Sequence, residues 1–346
     1  MSQVKLSMKL LRELSETPGV PGREDRIRDI VFRELKDKVD SLRVDTMGNV
    51  IAFKRGSARN PKKILFAAHM DEIGFYVSFI DERGFLRLQN VGDFDTRNLF
   101  ARKVIVHSSA GPLEGVLHAT GVPIHVSSPQ ERQGYKELSS FFVDLGLSSQ
   151  DVKKRVSVGD MVTIEARFSE FGDSICGKAL DNRVQVYAGI RALQSLKNPL
   201  NDVYGVFTVQ EEVGMRGAGP ATFGVEPDIG IVLDVTIASD IPGIEPQHYV
   251  TQLGKGVAIK ILDGSAISDR GLVDEYIAIA KRQKIPYQLE ILPCRGTDAE
   301  SIQRSRTGVR TITLSVPTRY IHTVIETVNT GDLLATERLL SAVLKS

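Results

Sequence analysis

The 346-residue sequence has no tryptophan, only two cysteines and almost no net charge. Each shortage excludes a class of protein. Cys176 and Cys294 lie far apart in the chain, so there is no disulfide framework of the kind small secreted domains depend on. The two read as buried, inert thiols in a reducing compartment rather than as a catalytic pair. A formal charge of +1 leaves no basic excess for a nucleic-acid footprint, and no aromatic stacking platform is evident. Lys5 and Lys9 break up the apolar residues of the amino-terminal stretch. No run approaches the ~20 apolar residues of a membrane span. The sequence thus reads as a cytoplasmic protein with neither nucleic acid nor membrane as partner.

What is present is a chain longer than a usual single domain. Helical periodicity covers 4–14 and 23–37, with Ile27, Ile30, Val31 and Leu35 on one face of the second stretch. Thr17-Pro18-Gly19-Val20-Pro21-Gly22 between them is rich in turn formers. Short strands are read at 50–53 and 64–68. The pattern then changes: short alternating segments at 76–80, 85–88, 104–106, 115–117 and 161–164 are separated by turn residues, which predicts a small β-barrel or sandwich. The polar stretch 127–136 reads as an exposed, mobile loop. After Gly177, strands at 203–209, 229–235, 256–262, 287–293 and 310–316 alternate mostly with helical patterns such as 184–196 and 272–284. The expected fold is α/β: a mixed sheet flanked by helices on both faces, built from 1–72 and 165–346, with a small β-barrel-like domain inserted over 73–164.

Chemistry-bearing residues gather at the ends of these apolar segments. His69-Met70-Asp71 follows one strand, Gln210-Glu211-Glu212 a second and Leu233-Asp234 a third, while His322 comes soon after a fourth. Asp181 stands at the entry to a helix. Ligands of open α/β sheets bind beyond the carboxyl ends of the strands, which would bring these distant residues to one rim. Taken singly, each has a plain explanation. A Glu-Glu pair is usually a solvated face, Asp181 a helix cap and Asp234 a strand-end turn residue. Their joint occurrence in a workable order overturns that. Imidazole and carboxylate together suit zinc, cobalt or manganese, and a bridging carboxylate holds two such ions ~3.5–4 Å apart. The reading assigns His69, Asp181 and Asp234 to one ion, and Asp181, Glu212 and His322 to the other. Three carboxylates against two dications leave a surplus positive charge that favours hydroxide and polarises a carbonyl. Glu211 is left as the general base, moving a proton from a metal-bridging water to the leaving amine. Asp71 is expected to accept a hydrogen bond from His69 and so orient its ring. His107, His118, His125 and His248 receive no role.

These residues lie within longer stretches that resemble the TET-type aminopeptidases, metallopeptidase family 42, which includes glutamyl and deblocking aminopeptidases. The stretches are Ala68-His69-Met70-Asp71-Glu72-Ile73-Gly74-Phe75, Ala179-Leu180-Asp181-Asn182-Arg183, Val209-Gln210-Glu211-Glu212-Val213-Gly214-Met215-Arg216-Gly217-Ala218, Leu233-Asp234-Val235-Thr236, Gly296-Thr297-Asp298-Ala299 and Pro317-Thr318-Arg319-Tyr320-Ile321-His322. The resemblance implies a dinuclear zinc-peptidase-like fold and release of amino-terminal residues from small peptides. It also implies two divalent ions (Zn, Co or Mn) per subunit and dimerisation through the inserted domain. Dimers would assemble into a hollow tetrahedral homododecamer, and the bond Asp181-Asn182 would be cis. The chain departs from the family at Gly254-Lys255-Gly256-Val257, at Glu300 after Gly296-Thr297-Asp298-Ala299, and across 118–123. Those departures bear on side-chain preference. The rival readings are an amidohydrolase or carboxypeptidase-like enzyme, a metal-free glycosidase and an idle scaffold. A helix opening directly after Asp181 counts against the first, and the complete ligand set against the last.

Overall fold

A computed structural model describes residues 6–121, 125 and 136–346. Of the sequence-based expectations, the helical start at 4–5, the loop at 127–135 and positions 122 and 123 of the 118–123 stretch lie outside the described residues. In chain order, α1 (Met8–Glu16) and α2 (Asp25–Leu35) precede β1 (Ser41–Val44), β2 (Val50–Lys54) and β3 (Lys63–His69). Next come β4 (Gly74–Ile80), β5 (Leu86–Val91), β6 (Arg102–Ser108), β7 (Gly111–Ala119), β8 (Phe141–Asp144), α3 (Ser149–Arg155) and β9 (Met161–Ile164). The chain continues through β10 (Ser169–Phe171), β11 (Ser174–Gly177), α4 (Leu180–Ser195), β12 (Asp202–Thr208), α5 (Ala218–Val225), β13 (Ile229–Ile237) and β14 (Val257–Leu262). It ends with α6 (Arg270–Arg282), β15 (Tyr287–Ile291), α7 (Ala299–Gln303), β16 (Arg310–Arg319), β17 (Glu326–Asn329) and α8 (Thr330–Val343). Two compact units result, one of 1–72, 167–321 and 325–346, the other of 73–166 and 322–324.

The first unit is a mixed sheet of eleven strands among the described residues, in the order β1-β2-β12-β3-β13-β16-β17-β11-β10, with β14 and β15 branching from β16. Its centre is parallel: β12 and β13 flank β3, and β16 follows β13. Parallel strands covered on both faces read as unbroken apolar runs, which is why Ile64-Leu65-Phe66-Ala67-Ala68 has no polar alternation. Ile64, Phe66 and Ala68 join a large core with Leu14, Ile27, Val31, Val184, Tyr187, Ile190 and Leu339 from α1, α2, α4 and α8. Leu65 and Ala67 join a second core with Ala218, Ala221 and Val225 of α5 and Ala299 and Ile302 of α7. Burying each large aliphatic side chain contributes ~1.5–3 kcal/mol, so both faces hold the strand ends in register.

The second unit closes as a six-stranded barrel, β4-β5-β8-β7-β6-β9. Alternate residues Phe75, Val77, Val104, Val106, Leu117, Phe141, Val143 and Val162 fill its interior. The strand β8 was not read from the sequence, because four residues, Phe141-Phe142-Val143-Asp144, carry too little alternation. The thiols also depart from expectation. Both are free, but Cys294 is exposed and Cys176 only half-buried, since each lies outside the two helix-covered cores. Among the described residues no helix is long and apolar enough to cross a membrane.

Candidate metal centre

His69 is the last residue of β3, and the parallel register sets Thr208, the last of β12, beside it. The β3–β13 register pairs Ala67 with Val232, so two residues further on Asp234 comes level with His69. Asp234 is therefore not a strand-end residue, as its sequence position implied, but lies inside β13, which runs on to Ile237 against β16. His69 Nε2 lies 3.2 Å from Asp181 Oδ1 and 3.9 Å from Asp234 Oδ1. The donor atoms of His69, Asp181 and Asp234 all fall within 4.8 Å of one another, as do those of His69, Glu211 and Glu212. His322 is part of the second unit, where its Nδ1 is 2.8 Å from the Asp93 carbonyl.

Asp181 stands in the first turn of α4 without helical geometry (φ −74°, ψ 104°), and the Asp181-Asn182 peptide bond is cis. Four hydrogen bonds pin this turn. Glu326 accepts from the Asp181 amide at 2.9 Å, Asn182 donates to the Leu233 carbonyl at 2.8 Å, and Gln185 donates to the Asp234 and Leu314 carbonyls at 2.6 and 2.9 Å. Beneath it lies a buried ionic cluster. Lys178 and Arg183 face Glu72, Lys178 at 2.6 Å and Arg183 at 3.8 Å. Arg183 also donates to the carbonyls of Leu14, Thr17, Gly19 and Met70. Glu72, Lys178, Arg183 and Glu326 were given no role from the sequence because their partners are backbone groups of distant segments or one another.

The turn after β12 is held by carboxylates. Asp71 Oδ1 accepts from the Glu211 amide at 3.1 Å and Oδ2 from the Glu212 amide at 3.0 Å. His69 Nδ1 is 3.2 Å from the Asp71 carbonyl and 3.6 Å from its carboxylate. The carbonyl is thus the nearer partner of the ring, and the carboxylate grips the Glu-Glu pair. Asp298, of the Gly296-Thr297-Asp298 stretch, is buried and accepts from the Thr208 hydroxyl at 2.6 Å. Its closeness could not be read from sequence, since it depends on α7 folding over the end of β12. Of the histidines left without a role, His107 pairs with Thr163 and His118 with the Ala119 carbonyl, while His125 and His248 are exposed.

Burial and crowding dominate the electrostatics. Desolvation, reinforced by Asp181, pushes the Asp234 carboxyl up to about 8 against the pull of His69 and Lys260. Burial, with Asp234, Glu212 and Asp298 nearby, carries Glu211 well above the ordinary carboxylate range despite His69. Asp298 is raised to about 6, chiefly by burial, though the Thr208 hydrogen bond opposes it. Burial disfavours the His69 imidazolium, but Asp181, Asp71 and Glu211 outweigh it and raise the pKa well above the histidine norm. Like charges buried this closely are costly unless a cation lies among them. One imidazole with several carboxylates, their donor atoms within 4.8 Å, is a donor set that fits a divalent ion of the zinc, cobalt or manganese type.

Comparison with known proteins gives the same reading. The pattern of the M42 glutamyl aminopeptidase family matches residues 48–339. A lysyl aminopeptidase of Pyrococcus furiosus is 36% identical over 345 residues, covering 97% of this chain and 96% of the relative. The solved aminopeptidase of the archaeon Desulfurococcus kamchatkensis superposes with a TM-score of 0.93 at 38% identity, covering 98% of this chain and 94% of that one. The TET1 peptidase of Pyrococcus horikoshii, described as assembling into a tetrahedron or a large octahedral shell, superposes with a TM-score of 0.87 at 32% identity, covering 97% and 98%. With its fold, its acidic and histidine cluster and these relatives in agreement over nearly its whole length, the chain belongs to the M42 glutamyl aminopeptidase family of peptide-bond hydrolases.

Proposed function

We propose that the protein is a cytoplasmic dinuclear metal aminopeptidase that removes residues one at a time from the amino terminus of small peptides. The observation that carries this is the convergence of His69 at the end of β3, Glu211 and Glu212 in the turn after β12, Asp234 within β13 and Asp181 at the start of α4. His69, Asp181 and Asp234 would hold one ion, and Asp181, Glu212 and His322 the other. When bound, the ions supply Lewis acidity and lower the pKa of water. Glu211 takes the proton of the attacking water and returns it to the leaving amine. Its raised pKa suits a group that must hold a proton between those steps. Asp71 keeps Glu211 and Glu212 in place through their amides and stands beside the His69 ring. An exposed Cys294 and a half-buried Cys176, both free, suit a reducing compartment. By analogy with the TET1 shell, the barrel unit is assigned to dimerisation and the dimers to a homododecamer.

Aminoacyl-p-nitroanilides with acidic, basic and aliphatic residues test this, on chelated protein and after zinc, cobalt or manganese is returned. Activity restored by metal and absent in Glu211→Gln with unchanged metal content is expected. No release from any substrate or longer peptide by metal-loaded, folded protein would overturn it. Light scattering should find a species twelve times the 38.1 kDa chain, and a monomer would refute the shell.

A further inference from the structure

The turn-rich stretch ahead of α2 ends in Glu24, which occupies the N-cap position of that helix but makes no capping hydrogen bond. Serine, threonine, aspartate and asparagine serve that position best, so a buried, non-capping glutamate breaks the local rule. Its carboxylate is used elsewhere. Glu24 Oε1 accepts from the Gly22 amide at 2.8 Å and, 186 residues away, from the Gln210 amide at 3.1 Å. Gln210 lies at φ +57°, a left-handed conformation that costs a non-glycine residue ~1–3 kcal/mol and persists only where neighbours enforce it.

Around Gln210 the backbone amides are gripped in succession. Val209 donates to Asn49 Oδ1 at 3.0 Å, Gln210 to Glu24, and Glu211 and Glu212 to the two oxygens of Asp71. Asn49 immediately precedes β2 and Asp71 follows β3 by two residues, whereas Glu24 reaches Gln210 from the segment before α2. That segment is itself tied down: Gly19 and Glu72 exchange two hydrogen bonds, the Glu72 amide to the Gly19 carbonyl at 2.9 Å and the Gly19 amide to Glu72 Oε1 at 3.1 Å. We propose that Glu24 is a positioning residue for the Glu211–Glu212 turn, holding Gln210 in its left-handed conformation so that the adjacent carboxylates face the metal centre. This rests on Glu211 and Glu212 acting as proposed above.

The experiment compares Glu24→Leu, Glu24→Asp and Glu24→Gln with the parent in two assays. Glutamine keeps an Oε1 acceptor at the same reach, leucine removes it and aspartate withdraws it by one methylene. In metal-loaded protein, Glu24→Leu should lower kcat by about 10- to 100-fold with KM changed less than about three-fold, and Glu24→Gln should stay within about three-fold of the parent. Hydrogen exchange of chelated protein should show the Gln210 amide exchanging about ten-fold or more faster in the leucine variant than in the glutamine variant. If leucine prevents folding, the aspartate variant is read against glutamine with the same ordering expected. An unchanged kcat in the leucine and aspartate variants, unchanged exchange, or a glutamine variant as impaired as leucine would each overturn the proposal. Glu211→Gln is assayed alongside. Turnover retained there would refute the role of the base, while the exchange result still stands or falls by itself.

Discussion

Replacing Arg183 by methionine should lower the melting temperature by ~4–7 °C, for reasons that can be worked from its contacts. The guanidinium is 1% exposed and donates to the Met70, Leu14 and Thr17 carbonyls at 2.6–2.9 Å and to Gly19 at 3.3 Å. It also faces Glu72, which retains Lys178. Gly19 keeps a second donor in the Glu72 amide, so three carbonyls lose the arginine's donors. An unsatisfied buried carbonyl costs ~1–3 kcal/mol, and removing one partner of a buried ion pair ~3–5 kcal/mol. Burial itself depresses the Arg183 pKa, which shows that the guanidinium carries a desolvation cost the substitution relieves. These opposing effects leave a net loss of ~3–5 kcal/mol. Unfolding entropy of ~2.1 cal/mol/K per residue amounts to ~0.7 kcal/mol/K over 346 residues, or ~1.4 °C per kcal/mol. Calorimetry of chelated parent and variant reads the shift without involving the metal. Arg183→Lys, with charge but fewer donors, should fall between them. A methionine variant melting within 1 °C of the parent would refute the reasoning.

Three further outcomes are expected. The Asp234 carboxyl, pushed up to about 8 by burial, holds a proton at pH 7, so metal binding there must displace it. Titration calorimetry at pH 7 should then give heats that vary with the ionisation enthalpy of the buffer, and metal occupancy should fall between pH 7 and pH 4; buffer-independent heats would contradict the assigned shell. Glu211→Gln should lower kcat by about 10²–10⁴ with metal content unchanged, checked by elemental analysis beside the kinetics. A β-carbon at Gly205 would lie 2.6 Å from Phe66 and 2.8 Å from Leu193, so Gly205→Ala should cost ~1–3 kcal/mol. A melt showing no loss would mean that the core around β12 yields more readily than its packing implies.

Some of this was legible in the chain and some was not. The parallel core could be read because its strands are continuous apolar runs, and β3, β12, β13 and β16 begin within a residue or two of the expected positions. Their ends were less legible. β13 passes beyond 235 and β16 beyond 316 because strand length is set by pairing with a neighbour, here β13 with β16, and not by where hydrophobic residues stop. The short β8 was missed because pairing with β5 and β7 defines it more than its own pattern does.

Residue type and order by themselves determined the chemistry of the centre. Imidazole and several carboxylates in a workable order suit a divalent ion, and His69, Glu211, Glu212 and Asp181 stand at or beside the end or start of a regular element, though Asp234 lies inside β13. Only the tertiary structure decided what holds them. Glu24, Asn49, Glu72, Lys178, Arg183 and Glu326 act through backbone amides, carbonyls or buried charges contributed mostly by distant segments, and a hydrogen bond to a backbone group leaves no trace in the partner's side chain. Asp71 shows the division most plainly. Its place beside His69 was apparent from spacing, but its carboxylate serves the amides of residues 211 and 212, a contact that exists only because β3 and β12 end side by side.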